Sequence, residues 1–341
     1  MAELRWNPMI SDWVMINSNR QKRPVMPENY CPFCPASESD KLENPEKYEF
    51  HKIWEHYDVM KYDNDYPALS QNPPAPDNMT GNGELNITDT MYGKCEVILF
   101  SPEHNSSICE FSVKHITKIV DLWTERFIEI SKDENIKYIF IFENRGELVG
   151  VTQPHPHGQI YGYSFMPKKI ELENDCFKKH YNKNKTCMFC DINRDEINFK
   201  ERVIYENDDF IVYVPFFAEY VYQVYIASKT HKSNIAKFNK KERKNLALTL
   251  KMVTGMYDSL FNKKFPYMMC MHNAPVNLKN QKTTDKTFHF HIEFYTPLRD
   301  ANTQQFNASS ETGVWAHCNP SSPEEKAKEL REALNRFNGV K

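Results

Sequence analysis

The sequence predicts an α+β fold built as a tandem duplication, each half an antiparallel sheet with a packed helix. Three observations predict it. One order of motifs runs twice along the chain, runs rich in Ile, Val, Tyr and Phe accompany it at strand length, and a helical apolar period sits between them in both halves.

The repeat is the first of these. In the first half, CPFC (Cys31 to Cys34) is followed by VILFSPEH ending at His104, a helical stretch, a β-like run ending at Asn144, and then His155-Pro156-His157. In the second, CMFC (Cys187 to Cys190) is followed by VYIASKTH ending at His231, a helical stretch, a run ending at Asn273, and then His289-Phe290-His291. His231 comes 127 residues after His104 and His289 comes 134 after His155, whereas the cysteine pairs lie further apart. That mismatch predicts an insertion in the first half, and residues 71–83, QNPPAPDNMTGNG, have the composition of such a loop. The two domains are placed at 1–175 and 176–341.

The connecting helices are predicted by apolar spacing. Ile116, Ile119, Val120, Trp123, Phe127 and Ile130 step by three and four behind Ser112, a suitable N-cap. Leu246, Leu250, Val253, Tyr257 and Phe261 do the same behind Asn239 and Glu242, which stand at capping-box spacing. Runs 96–101, 137–143, 203–214, 221–227 and 288–295 have strand composition. The stretch 320–337, PSSPEEKAKELREALNRF, reads as a closing surface helix.

Composition excludes several classes. The 341 residues carry 43 Lys plus Arg against 46 Asp plus Glu, a net charge of −3, which argues against a nucleic-acid backbone or an anionic membrane as the main partner. Apolar residues at 40% exclude disorder, and the longest apolar stretch, 210–227, is interrupted by Pro215, Glu219 and Gln223. Glu3, Arg5 and Asp12 stand where an export signal needs an apolar core, so a cytoplasmic location is expected. In a reducing compartment, two C-x-x-C pairs among nine cysteines point to metal or redox chemistry over disulfides.

Zinc takes about four thiolate or imidazole ligands in a tetrahedron. Cys31, Cys34, His104 and His155 supply one such set, and Cys187, Cys190, His231 and His289 repeat it in residue type and order. Two zinc ions per chain are expected. On a strand, His155, His157 and Gln159 would face one side and Pro156 and Gly158 the other. With His155 held by a metal, a neutral His157 imidazole can attack phosphorus, and the Gln159 amide can donate to a phosphoryl oxygen. The plainer reading makes His157 a packed histidine.

H-P-H-G-Q after FENRG (Phe142 to Gly146), together with RQKRP (Arg20 to Pro24), CPFC, YDNDYPAL (Tyr62 to Leu69) and SPEH, resembles the galactose-1-phosphate uridylyltransferase family of the histidine triad superfamily. The likeness runs from near residue 5 to near residue 335. It implies two histidine-triad-like domains and a ping-pong exchange between UDP-glucose and galactose 1-phosphate, with UMP held on His157. Gln159 stands where triad hydrolases have a third histidine. By matching position, Arg20 and Arg23 would meet phosphate or uridine, Asn64 the uracil region, and Asn144, Thr152 and Gln159 the phosphoryl oxygens. Thr152 replaces a serine common in the family but keeps the hydroxyl. Glu311 matches a glutamate that binds hexose hydroxyls, and His317 stands where the family has a glutamine. A homodimer is implied.

Some relatives lack the second cysteine pair and hold iron or zinc through positions that correspond to Glu173, His272, His289 and His291. His289 cannot serve both sets, and the cysteine set is favoured because the duplication places its thiolates. Glu293 then occupies the third triad position of a half expected to be scaffold and sugar-binding wall. An ADP-glucose phosphorylase using the same His157 is the competing enzyme. A zinc-dependent nucleic-acid binder would need a basic patch that this chain lacks.

Overall fold

The computed structural model describes residues 2–18, 31–49, 51–77, 83–151 and 153–340. The first half holds β1 (Ala2–Asn7), β2 (Asp12–Asn17), α1 (Glu38–Glu43), β3 (Met60–Asp63), β4 (Thr88–Thr90) and β5 (Gly93–Leu99). These are followed by α2 (Val113–Ser131), β6 (Tyr138–Arg145) and β7 (His157–Tyr163). α3 (Lys168–Asn184) runs across the expected 175/176 boundary, and the second half goes on with α4 (Met188–Phe199), β8 (Val203–Glu206), β9 (Phe210–Tyr213), β10 (Val224–Ser228) and α5 (Lys240–Leu260). It closes with β11 (Tyr267–His272), α6 (Gln281–Thr287), β12 (His291–Tyr295), α7 (Ser309–Val314) and α8 (Pro323–Phe337).

The fold is α+β with antiparallel pairing, as the sequence predicts, and the duplication is visible in the strand order. β3-β5-β7-β6 of the first half repeats as β9-β10-β12-β11 of the second, reflected about the seam where β6 meets β11. At that seam Ile141 faces Met271 and Asn144 faces Met268 in antiparallel register, so two expected sheets are one sheet of nine strands. The physical reason is that neither β6 nor β11 is left as an exposed edge. β1, β2 and β4 form a separate three-stranded sheet.

Several boundaries differ from the sequence reading. Run 203–214 is two strands around a turn at Asn207, whose side-chain oxygen accepts from the Asp209 and Phe210 amides. β7 begins at His157, not His155, because Pro154 and Pro156 have no N–H to give a ladder.

Both long helices start where their caps predict. Ser112 accepts from the His115 amide, and Asn239 with Glu242 forms a full capping box. Their apolar stripes meet one face of the sheet, where Ile139, Ile141, Ile160, Met269, Ile292 and Phe294 join Trp123, Phe127, Leu250 and Tyr257 in the main core. Each such side chain contributes about 1.5–3 kcal/mol of burial. α8 closes this layer over α5, with the Phe337 ring directly above Gly255, where a Cβ would lie 2.3 Å from the ring. Strand alternation sends Asn144, His157, Gln159, His272, His291 and Glu293 to the opposite face.

Candidate active site

Elements of the first half gather one set of donors. The turn at Cys31–Cys34 is closed by the Cys34 amide to the Cys31 carbonyl, and the Phe33 amide donates to the Cys31 sulfur at 3.4 Å. The Nδ1 of His155 lies 3.7 Å from Cys31 Sγ and 3.6 Å from Cys34 Sγ, and the Nδ1 of His104 lies 3.5 Å from Cys34 Sγ. The four donor atoms lie within 4.8 Å of one another. A tetrahedral ion with bonds of about 2.3 Å to sulfur and about 2.0 Å to nitrogen sets those two donors roughly 3.5 Å apart. The donor set therefore fits such an ion. His155 Nε2 donates to the Ser101 carbonyl at 2.7 Å, which leaves the Nδ1 lone pair facing the sulfurs. Burial pushes the Cys31 thiol up to about 12 and lowers His155 to about 4. A bound cation would offset the first, and the second keeps His155 in its neutral, ligating form.

The second half repeats the arrangement on different local structure. Cys187 caps α4, so Cys190 lies in that helix's first turn. His289 Nδ1 is 3.4 Å from Cys187 Sγ and 3.6 Å from Cys190 Sγ, and its Nε2 donates to the Ser228 carbonyl at 2.8 Å. His231 Nε2 donates to the Asp285 carbonyl, while its buried Nδ1 has no hydrogen-bond partner among the described residues, an orphan that a metal bond would satisfy. Hydrogen bonding between the thiols holds Cys187 down and pushes Cys190 up. These four donors also lie within 4.8 Å of one another.

His157 stands at the head of β7. Its Nδ1 donates to the His155 carbonyl at 2.8 Å, which fixes the tautomer with the lone pair on Nε2. Phe33, inside the first cysteine turn, sets its ring between His155 and His157, with centroids 6.0 and 5.8 Å away. Gln159 shares the face of His157, and its Oε1 accepts from Asn64 Nδ2 at 3.5 Å and Tyr161 Oη at 3.2 Å, leaving the amide NH2 as its donor end. A cavity of about 240 Å³ opens at the end of these strands, lined by Asn144, Arg145, His155 and His157 from the first half and by Lys264 and Pro266 from the second.

The alternative second set is not assembled as the resemblance implies. His289 turns to the cysteines, and Glu293 joins Glu173, His272 and His291 in a separate cluster. His272 bridges the two carboxylates, at 3.0 Å to Glu173 and 3.4 Å to Glu293. The Lys169 ammonium completes the network 2.7 Å from Glu293. Burial opposes protonation of His272, but Glu173 and Glu293 outweigh it and raise its pKa. Lys169 thus supplies one cation to the two carboxylates, and a protonated His272 would supply a second. His291 is buried there, stacked on Phe189 at 4.3 Å.

The expected site residues are therefore distributed unevenly. Asn144 and His157 line the cavity, and Gln159, on the same sheet face as His157, is joined to Asn64 through its side chain. Arg20, Arg23 and Thr152 lie outside the described residues. Glu311 is half-buried on α7, where its carboxylate accepts from the Ala308 amide, and it is not among the described residues lining this cavity. Sequence reasoning missed Tyr57, whose hydroxyl reaches the Ser101 carbonyl beside His155, and the bidentate Arg145–Asp258 pair under the cavity. Neither has a sequence signal, since the partners are 44 and 113 residues apart.

The galactose-1-phosphate uridyl transferase N-terminal domain model matches residues 1–167 and the C-terminal domain model matches residues 173–334. The chain belongs to the galactose-1-phosphate uridylyltransferase family. A family member from Thermotoga maritima is 41% identical over 97% of this chain and 98% of its own length. One from Schizosaccharomyces pombe is 32% identical over 89% of this chain and 86% of its own. A solved uridylyltransferase structure superposes with a TM-score of 0.85 at 26% identity, covering 98% of this chain and 99% of that one. An ADP-glucose phosphorylase from Arabidopsis thaliana shares the fold, with a TM-score of 0.71 at 23% identity over 97% of this chain and 99% of its own. Family membership over the whole chain makes this protein a uridylyltransferase. Among the described residues no helix is long and apolar enough to cross a membrane.

Proposed function

We propose that the protein transfers UMP from UDP-glucose to galactose 1-phosphate by a ping-pong mechanism through a uridylyl-histidine at His157. The observation that carries this reading is the His157 Nδ1 bond to the His155 carbonyl. It presents Nε2 as a nucleophile and stabilises the positive charge that develops on the ring. The Nε2 lone pair forms a bond to the α-phosphorus, and the bond to the glucose 1-phosphate oxygen breaks with its electrons leaving on that oxygen. In the second step a galactose 1-phosphate oxygen attacks the same phosphorus, and the P–N electrons return to Nε2.

Gln159 donates its amide to a phosphoryl oxygen as charge builds there, and Asn144, on the cavity wall, does the same from β6. Arg20, Arg23 and Thr152 complete the phosphate and uridine contacts, with Asn64 toward the uracil. Both cysteine–histidine sets hold zinc in this reading. Zinc is structural here, tying Cys31 and Cys34 to the residue that carries the His157 hydrogen bond. A cytoplasmic homodimer would place the Glu311 segment, with the exposed Phe306 and Trp315, against the partner's cavity.

The test incubates the protein with α-labelled UDP-glucose and no acceptor, then denatures it at alkaline pH. Label retained on the chain and lost in His157→Ala supports the reading, and an unlabelled chain removes it. A panel crossing UDP- and ADP-sugars with hexose 1-phosphates and free phosphate separates the uridylyltransferase from an ADP-glucose phosphorylase.

A further inference from the structure

We infer that Lys264, supplied by the second half, binds the phosphate of the hexose 1-phosphate as it leaves and enters the His157 cavity. This rests on the uridylyl-histidine reading and adds a residue to it. The cavity must accept phosphate groups, so the charge of its wall decides how it can do so. Among the described residues lining it, Arg145 and Lys264 are the permanently cationic side chains, beside the carboxyl groups of Glu143 and Glu147. Arg145 is committed elsewhere, through two parallel bonds of 2.8 Å to the carboxylate of Asp258. Among the described residues Lys264 has no carboxylate partner. Its Nζ donates at 2.5 Å to the carbonyl of Asn105, which lines the same cavity, and the side chain is otherwise exposed. An ammonium held by one neutral carbonyl keeps donors and full charge for an arriving anion.

Sheet order says which phosphate it meets. β3, which leads to Asn64, and β11, which follows Lys264, lie on opposite sides of β7 in the order β3-β5-β7-β6-β11. A nucleoside extending toward Asn64 therefore leaves the β6–β11 side to the other substituent of the α-phosphorus, the hexose phosphate. Pro266 abuts Gly146, where an added Cβ would lie 2.9 Å from it, so the Lys264 loop is packed against the phosphate-facing turn after Asn144.

The experiment measures steady-state exchange and acceptor-free labelling for the wild type, Lys264→Gln, Lys264→Met and Lys264→Arg. The glutamine variant can still donate to the Asn105 carbonyl but has no charge. The expected result is a KM for galactose 1-phosphate raised about tenfold or more in both neutral variants, with a weaker salt dependence, kcat within about threefold, and near-normal values in the arginine variant. Labelling stoichiometry from UDP-glucose should stay at the wild-type level in all of them. A KM within twofold of wild type in Lys264→Gln overturns the proposal, including when Lys264→Met alone is impaired, which would mark Lys264 as a loop anchor. Loss of the His157 reading is told apart by an unlabelled wild-type chain, a result that these KM values do not depend on.

Discussion

The Nδ1 of His157 lies 2.8 Å from the carbonyl oxygen of His155, two residues before it. The second half repeats this relationship, with His291 Nδ1 2.9 Å from the His289 carbonyl. The surroundings of the two histidines differ. His157 lines a cavity and shares its face with a neutral glutamine, whereas His291 is buried beneath Phe189 with its Nε2 3.4 Å from the Glu293 carboxylate. One local geometry thus serves as a candidate nucleophile in one half and as core in the other.

Replacing the two histidines should therefore have opposite effects. His157→Ala is expected to lower exchange at least about a thousandfold with metal content and unfolding midpoint unchanged. His291→Ala should cost about 3 kcal/mol of stability, because it empties a stacked position and strands part of the Glu293 network, while the folded fraction keeps turning over. Paired turnover and denaturation curves check both.

Removing one thiolate from each set should separate their roles. Cys31→Ser is expected to lose one metal ion per chain and about 10- to 100-fold in turnover, because the turn it anchors carries Phe33 against His155 and His157. Cys187→Ser should also lose one ion, with stability falling more than turnover. Metal analysis of purified variants beside their rates decides this. Two zinc ions in the wild type are expected, and iron in the second set would redirect the reading toward the glutamate-containing cluster.

Glu143 predicts a pH dependence of stability. Burial raises its pKa from 4.5 to about 7, against the opposing pull of Arg145 and a hydrogen bond from Tyr267, with Asp258 adding to the rise. A folded-state value above the unfolded one means its contribution is fully present below about pH 4.5 and is lost as pH rises to about 7. The loss amounts to roughly 3 kcal/mol. Glu143→Gln should abolish that part of the slope, read as the difference between the two proteins' unfolding free energies from pH 4 to pH 8.

Legibility in the sequence tracked the range of the interaction. The helix caps at Ser112 and Asn239 and the alternation that puts His157 beside Gln159 were readable because each is decided within a few residues. The two cysteine–histidine sets span far more chain, yet the duplication printed them twice. Joining of β6 to β11 into one sheet, the Arg145–Asp258 pair and Lys169 over Glu293 all cross between repeats or between distant elements, and no local pattern records them. The duplication favours the cysteine set for His289, but nothing local shows that Glu293 joins Glu173, His272 and His291 in a second cluster. The partners of His289 and Glu293, Cys187 and Lys169, come from helical segments distant in sequence.

Gly158 shows how tightly the nucleophile's strand is seated. It comes directly after His157 on β7 with its missing side chain directed at the helix layer, where a Cβ would fall 2.8 Å from Phe100 Cζ and 2.9 Å from the Phe142 carbonyl oxygen. The ring could yield, but the carbonyl belongs to the neighbouring strand and cannot move without lifting β7 off β6. Gly158→Ala should therefore cost about 2–3 kcal/mol of stability. The shift falls beside His157 and Gln159, so kcat should drop by about 10- to 100-fold while KM for UDP-glucose changes less, since misplacing a reacting nitrogen by a fraction of an ångström impairs attack more than binding. Steady-state kinetics on the folded variant, with the cysteine–histidine metal content measured alongside, checks it. An alanine variant with wild-type kcat would show that β7 is not held against β6 as closely as this contact requires.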